Sequence, residues 1–293
     1  MIRAAVMGYG NTGQAAVEAV RAAADFVLAG VVRRAIQEGL YDYPVVTDVR
    51  DLGKVDVALL CTPTRLMPDA AEALLRQGIN TVDSFDIHNE ILSVRNRLEP
   101  MAKQAGRVAI VASGWDPGSD SVIRAVMQAM APSGVTFTNF GPGVSLGHSA
   151  AARAVPGVKD ALSMTIPKGT GLHRRMVYVE KEPGADPQAV KAAILADPYF
   201  SRDESYVNLV DDVSALRSAT HGVGIERLGA SGGTSNQRFN YTHTIDGAAL
   251  TAAMLVASAR AAMRQKPGAY TLIELPVVDF LPGNRDEWIE RLV

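Results

Sequence analysis

The stretch GYGNTG at residues 8–13 constrains this chain more than any other six residues in it. It follows the apolar run IRAAVMG (2–8), long enough for one short strand, and opens an Ala-rich segment, Thr12–Ala24, of helical character. FVLAGVV (26–32) then reads as a second strand. A Gly-x-Gly-x-x-Gly turn between strand and helix lets peptide N–H groups approach a pyrophosphate, which the helix N-terminus then favours electrostatically. Gly-rich turns are common, but this one stands inside a strand–helix–strand unit, where the motif has its mechanical meaning. Gly8, Tyr9, Gly10, Asn11, Thr12 and Gly13 are therefore candidate dinucleotide-binding residues.

The alternation continues. VDVALLCT (55–62), INTVD (79–83) and RVAIVA (107–112) are further strands, with helices expected over about 66–77 and 89–104. Strands alternating with helices imply parallel pairing, so residues 1–117 predict a doubly wound α/β domain of Rossmann type. Beyond a helix at 119–131 the pattern changes to short strands: VTFTNF, DALSMTI, RRMVYVE, SYVNLV and two more near 223–228 and 238–245. One helix, at about 187–195, interrupts them, GASGGTSNQ (229–237) reads as a turn or mobile loop, and an Ala-rich helix follows at 248–264. This predicts a second, α+β domain over 118–269, with a mixed or mainly antiparallel sheet.

At the end of the second strand, where an NAD-binding domain carries an acid for the ribose hydroxyls, stand Arg33 and Arg34. Two guanidiniums attract a 2′-phosphate, so the expected cofactor is NADP. Cys61, Thr62, Pro63 and Thr64 follow the third strong strand at the carboxyl edge of the sheet, where ligands bind, and are expected on the nicotinamide side. Asp86 in TVDSFDIH and Asp116 in SGWDPG also follow strand ends. The same rule brings both to that rim, where they could face each other across a pocket roofed by Trp115 and Phe85. Paired acids there suit a substrate ammonium, which must lose a proton before hydride can leave its carbon. The competing reading makes Asp116 a turn residue before Pro117 and Asp86 a helix cap. No metal is expected, since the ligand set is too small.

Composition narrows the partners. The 293-residue chain has a formal charge of −2, which gives no reason to expect nucleic acid or an anionic membrane. No apolar run reaches membrane-spanning length, and MIRAAVMGYG lacks the layout of a signal peptide. The one cysteine, Cys61, excludes a disulfide framework, so cytoplasmic localisation is expected. In the second domain, GPGVSLGHS (141–149) could bind a carboxylate through peptide N–H groups, Arg175 starts a strand, and His221 stands in THGVG between loops.

These motifs together, VMGYGNTG, GVVRR, VDSFDIH, SGWDPG, FGPGVSLGHS, THGVG and the closing AYTLIEL, resemble the meso-diaminopimelate dehydrogenases over nearly the whole chain. The resemblance implies NADP-dependent oxidative deamination of the D-centre of meso-2,6-diaminopimelate, in lysine or cell-wall metabolism. It implies that Asp86 and Asp116 hold the D-centre amine and that Trp115 and Phe140 wall the pocket. Ser145 with the peptide groups of Leu146 and Gly147 would bind the D-centre carboxylate, and Thr165, Arg175 and His221 the distal amino-acid end. It further implies a homodimer, with the second domain and the helix near 248–264 contributing to the contact, and a return of about 270–293 to the first domain. Other NADP oxidoreductases of two-domain build, resembling dihydrodipicolinate reductases or sugar dehydrogenases, are the alternative, although the Glu-Lys-Pro motif of the latter does not occur. A non-catalytic dinucleotide sensor is the alternative from another class.

Three positions depart from the family pattern: Leu146 replaces a Gln, the loop between Thr165 and Arg175 is short, and Gly247 stands near a family Asn. All three touch substrate grip and none touches the cofactor loop or the acid pair. Tolerance of other D-amino acids is therefore expected. Steady-state assays with D-alanine and D-lysine beside the meso compound check this, and no turnover of either contradicts it.

Overall fold

The computed structural model describes residues 1–36, 41–216 and 220–293. It divides into two compact units, Met1–Ala125 with Ala248–Val293, and Val126–Gly247. The first unit begins with β1 (Ile2–Met7), α1 (Asn11–Ala22), β2 (Phe26–Val32), β3 (Val45–Val46) and β4 (Val57–Leu60). It continues through α2 (Met67–Arg76), β5 (Asn80–Asp83), α3 (Ile91–Ala105) and β6 (Val108–Ile110). Helix α4 (Ser119–Met130) leads into the second unit: β7 (Ser133–Ser145), α5 (Leu146–Arg153), β8 (Val158–Gly169), β9 (Leu172–Lys181), α6 (Pro187–Ala196), β10 (Glu204–Leu209), β11 (His221–Ser231) and β12 (Thr234–Ile245). The chain then returns through α7 (Gly247–Ala262), β13 (Gly268–Tyr270) and α8 (Arg285–Leu292).

The first sheet has seven strands in the order β13-β6-β5-β4-β1-β2-β3, all parallel. Successive strands step outward in both directions from the β1/β4 pair, which makes that pair the topological switch point. Period-two alternation sorts the side chains onto two faces. Ala4, Val6, Val57, Leu59 and Ile110 share one core with Val17 and Val20 of α1. Ala5, Ala58, Leu60, Ala109 and Val111 share the other with Leu74 of α2 and Leu98 of α3. Both faces are covered, as the doubly wound reading requires.

The sequence reading puts the Ala-rich helix at 248–264 with the second domain. In the structure Ala252, Leu255, Val256 and Ala259 of α7 instead join the β1–α1 core of the first unit. An all-round small apolar surface carries no local instruction about which sheet it covers; Arg260 supplies one. Its guanidinium, nearly buried, grips both oxygens of Asp25 at 2.5 and 2.9 Å and donates to the Phe280 carbonyl at 2.7 Å. Asp25 is held below its usual carboxylate range by that hydrogen-bonded partner.

The second sheet has six strands, ordered β10-β9-β8-β7-β11-β12. It is mixed, because β9 and β10 run parallel while the other pairs are antiparallel. Helix α5, beside α6, also interrupts the strands, so the single interrupting helix of the sequence reading has a companion. Most of 229–237 is strand: Gly229 pairs with Gln237 and Ser231 with Thr234, which confines the turn to Gly232 and Gly233. A fully buried Arg227 donates to the carbonyls of Ala131 and Pro132 and to Thr136 Oγ1, satisfying the groups left open where α4 ends.

Asp83 at the end of β5 ties neighbouring strand ends together. Its buried Oδ1 accepts from the N–H of Phe85 at 3.0 Å and from that of Ala112 at 2.9 Å. Ala112 has φ 58°, a left-handed conformation that a non-glycine residue adopts only under such constraint. The Asp83 carbonyl also accepts from the backbone and hydroxyl of Ser113, at 2.7 and 2.9 Å. Burial pushes the carboxyl up to about 6 against the pull of the two N–H donors. A raised carboxyl binds its proton more tightly in the native state, so its contribution to stability is present at about pH 4 and lost as the pH rises through 6. Asp83→Asn keeps the neutral acceptor and is expected to flatten the stability profile over that interval. Asp83→Ala, losing both acceptor bonds, should cost about 2–4 kcal/mol at any pH. Urea unfolding of both variants across pH 4–8 measures each effect, and an unchanged slope in the Asn variant contradicts the assignment.

Candidate functional site

The glycine loop leaves β1 at the switch point, where the Gly8 N–H bonds the Val32 carbonyl at 2.8 Å. Gly8 has φ 101°, and a Cβ there would lie 2.7 Å from the Cys61 carbonyl oxygen; one on Gly13 would collide with the Gly8 carbonyl. Internal packing thus requires both residues to be glycine. Gly10 is different. Its φ of −81° suits any residue, and a Cβ there would meet no atom of the described residues within 4 Å. The protein itself gives no reason for a glycine at this point, whereas a ligand approaching the backbone does. Gly10 is also the N-cap of α1 and provides no side-chain cap, so the first-turn N–H groups stay available.

The loop after β4 faces the same edge. Cys61 N–H bonds the Met7 carbonyl at 2.8 Å, and burial pushes the Cys61 thiol up to about 12, leaving it without nucleophilic or redox character. Thr62 has a buried Oγ1 with no hydrogen-bond partner among the described residues. Thr64 Oγ1 accepts from the Asp86 N–H at 3.1 Å. The loops after β4, β5 and β6 are thereby linked in series, first Thr64 to Asp86, then Asp83 to Ala112 and Ser113.

The two acids occupy unlike surroundings. Asp86 is exposed. The Asp116 side chain is only 1% exposed, before a cis bond to Pro117; its Oδ1 accepts from Arg124 at 2.6 Å and its buried Oδ2 has no partner among the described residues. A buried carboxylate oxygen in this state is a site for donors that the fold does not supply. Phe85, expected to roof a pocket with Trp115, is instead fully buried in the core shared with α2 and α3, because Asp83 pulls its backbone inward. Trp115 remains half-buried. A separate cavity of about 740 Å³ at the amino-terminal edge of the strands, lined by Arg50, Lys54, Asp56 and Arg107 among others, contains none of these residues.

In the second unit, cross-strand register makes a row that linear reading could not show. His221 pairs with Gly143, Gly143 with Thr165, and Thr165 with Arg175. Directly paired residues share a sheet face, so Thr165, Arg175 and His221 stand on one side of this sheet. Arg175 donates to Thr165 Oγ1 and to Asp203 Oδ2, the latter at 2.6 Å. His221, expected between loops, is a buried first residue of β11, and burial lowers its pKa. Phe140 lies 6.4 Å, ring to ring, from His221, and its N–H donates to His173 Nε2. Ser145 is the N-cap of α5, yet its hydroxyl bonds His148 Nδ1 at 2.9 Å, leaving the first-turn N–H groups of Leu146 and Gly147 without a side-chain cap. Burial lowers His148 to about 4, so the imidazole stays neutral at physiological pH. Leu146 is 42% exposed. Asp203 and His148 are the members of this group that sequence reasoning missed; both reach it only through strand pairing and helix packing.

A glycine loop at the switch point of a parallel sheet, with a mixed sheet carried between its halves in the chain, defines a two-unit, dinucleotide-dependent oxidoreductase. The chain belongs to the meso-diaminopimelate D-dehydrogenase family. The model of the diaminopimelic acid dehydrogenase C-terminal domain matches residues 114–247. The meso-diaminopimelate D-dehydrogenase of Bacteroides fragilis is 54% identical, with 100% of this chain and 99% of that enzyme covered. The solved C. glutamicum diaminopimelate dehydrogenase, in complex with diaminopimelate, superposes with a TM-score of 0.90 at 32% identity, covering 100% of this chain and 99% of that one. An engineered D-amino acid dehydrogenase bound to NADP+ gives 0.87 at 32% identity, with the same coverage.

The three glycines separate ligand from fold. Gly10→Ala is expected to unfold at the wild-type temperature but to bind dinucleotide at least about tenfold more weakly, whereas Gly13→Ala should lose about 2 kcal/mol or more of stability. Thermal unfolding beside calorimetric titration with NADPH distinguishes the two, and unweakened binding by Gly10→Ala contradicts the cradle.

Proposed function

We propose that the protein catalyses the NADP+-dependent oxidative deamination of the D-configured centre of meso-2,6-diaminopimelate, releasing ammonia and L-2-amino-6-oxopimelate. The observation that carries this is the buried Asp116 carboxylate, one oxygen taken by Arg124 and the other without a donor among the described residues. An ammonium group brings the missing donors.

The residues fit the cofactor. The open space at Gly10 and the uncapped start of α1 suit a pyrophosphate, Arg33 and Arg34 suit a 2′-phosphate, and the Thr62 hydroxyl, without a partner among the described residues, belongs to the loop expected near the nicotinamide. When bound, NADP+ supplies the acceptor for hydride. The chain's own residues prepare the substrate. Asp116, buried and fixed, holds the D-centre ammonium. Asp86, open to water, takes up its proton and passes it to solvent, leaving a neutral amine. Trp115 and Phe140 wall the pocket around the carbon, which stays open to one water molecule: once the carbon is oxidised to the imine, that water adds to it and ammonia departs. Ser145 and the N–H groups of Leu146 and Gly147 bind the adjacent carboxylate, while Thr165, Arg175 and His221 hold the distal amino-acid end. Arg175 offers the planar fork that a carboxylate needs. The same reading makes the protein a cytoplasmic homodimer.

Asp116→Asn is expected to lower kcat on the meso compound by about 10²–10⁴ and to leave the NADPH affinity within roughly threefold. Nicotinamide absorbance with a panel of diaminopimelate isomers, beside NADPH titration, tests this. Equal losses in turnover and coenzyme binding would make Asp116 a structural turn residue instead.

A further inference from the structure

Three consecutive residues, Tyr41, Asp42 and Tyr43, stand against the glycine loop and α1. Each is held separately. Asp42 takes a two-pronged ion pair from Arg21 in the last turn of α1, at 3.0 and 2.9 Å. The Tyr43 hydroxyl shares a 2.6 Å hydrogen bond with that of Tyr9, inside the GYGNTG loop. Tyr41 stands edge-on to Tyr9, with ring centroids 5.4 Å apart and planes at 87°, and 5.6 Å from Tyr43. The Tyr41 hydroxyl accepts from Arg33 Nη1 at 2.5 Å, and the Arg33 guanidinium lies 5.6 Å from the Tyr9 ring centroid. Arg33 is anchored at its backbone as well, its N–H bonding the Val46 carbonyl at 2.9 Å.

The chemistry of the pin matters. A phenol hydroxyl accepts a hydrogen bond without neutralising a guanidinium, so Arg33 keeps its full charge and its other donors while its direction is fixed. A carboxylate in the same place would fix Arg33 equally well but cancel the charge and repel a phosphate. The neighbouring acid, Asp42, is turned to Arg21 instead. We infer that Tyr41 is a positioning residue for coenzyme choice: its hydroxyl holds Arg33 at the glycine loop for the phosphomonoester that distinguishes a 2′-phosphorylated dinucleotide from its unphosphorylated form. This rests on the NADP reading above and adds to it a residue outside the arginine pair.

Calorimetric titration of the full chain with NADP+, NAD+, 2′,5′-ADP and 5′-AMP tests it without recourse to turnover. Tyr41→Phe removes one oxygen and keeps the ring packing. It should weaken NADP+ and 2′,5′-ADP by about 3–10-fold while NAD+ and 5′-AMP stay within about twofold. In an Arg33→Met background the same substitution should have no further effect, because the pinned group is gone. Parallel losses for both ligand pairs would make Tyr41 a structural brace only, and an equal loss in the Arg33→Met background would remove Arg33 from the argument. Either overturns the proposal, as does unchanged NADP+ affinity in Tyr41→Phe when the wild type prefers NADP+. A wild type that binds NAD+ as tightly as NADP+ overturns the cofactor reading itself, and this inference with it.

Discussion

A single buried carboxylate ties the loops after β5 and β6 to each other. Asp83 accepts two backbone N–H groups from different loops and, through its carbonyl, a third together with a hydroxyl. Without it, Ala112 has no reason to remain at positive φ, and the strand end that leads to Asp116 loses its course. The cost is visible in the same group, since burial raises its pKa to about 6. Natural sequences accept such a burden where local geometry must be fixed more firmly than hydrophobic packing alone can fix it. Thr64 extends the arrangement by one loop, from the β5 end to the β4 end.

The second sheet solves a different problem with a different device. A strand ladder is a ruler that sets polar side chains at fixed spacings on one face. His221, Gly143, Thr165 and Arg175 fall on one transverse line across four strands. Gly143 supplies no side chain to that line, because the backbone of Thr220 and His221 fills the place its Cβ would take. Asp203, brought in just before the parallel strand β10, aims Arg175 by its ion pair.

The first unit was largely legible in the sequence because its information is local. Apolar runs of strand length, an N-terminal glycine turn and helices of ordinary size declare themselves within windows of about ten residues. The strand FVLAGVV was bounded to the residue, and Arg33, Thr62 and Asp116 follow strand ends as the sequence reading placed them. What failed to show has long-range causes. Helix α7 has no one-sided apolar stripe to name its partner, β13 is three residues long, and the Arg260–Asp25 clamp joins positions 235 residues apart. Phe85 was misplaced because its burial follows from a hydrogen bond to its backbone, which no side-chain pattern encodes. Asp203 was missed because strand register, and not spacing, brings it beside Arg175, and His148 because only the helical turn of α5 carries it back to Ser145.

The discontinuity of the first unit bears on how the chain is made. Ribosomal synthesis delivers β1 to β6 and then all of residues 126–247 before α7 and β13 exist. For that interval, of the order of ten seconds at bacterial elongation rates, Ala4, Val6, Val57, Leu59 and Ile110 have α1 but not α7 to shelter them. Apolar surface of the nascent sheet stays uncovered until α7 docks, a vulnerability built into an inserted-unit architecture that the finished molecule no longer displays.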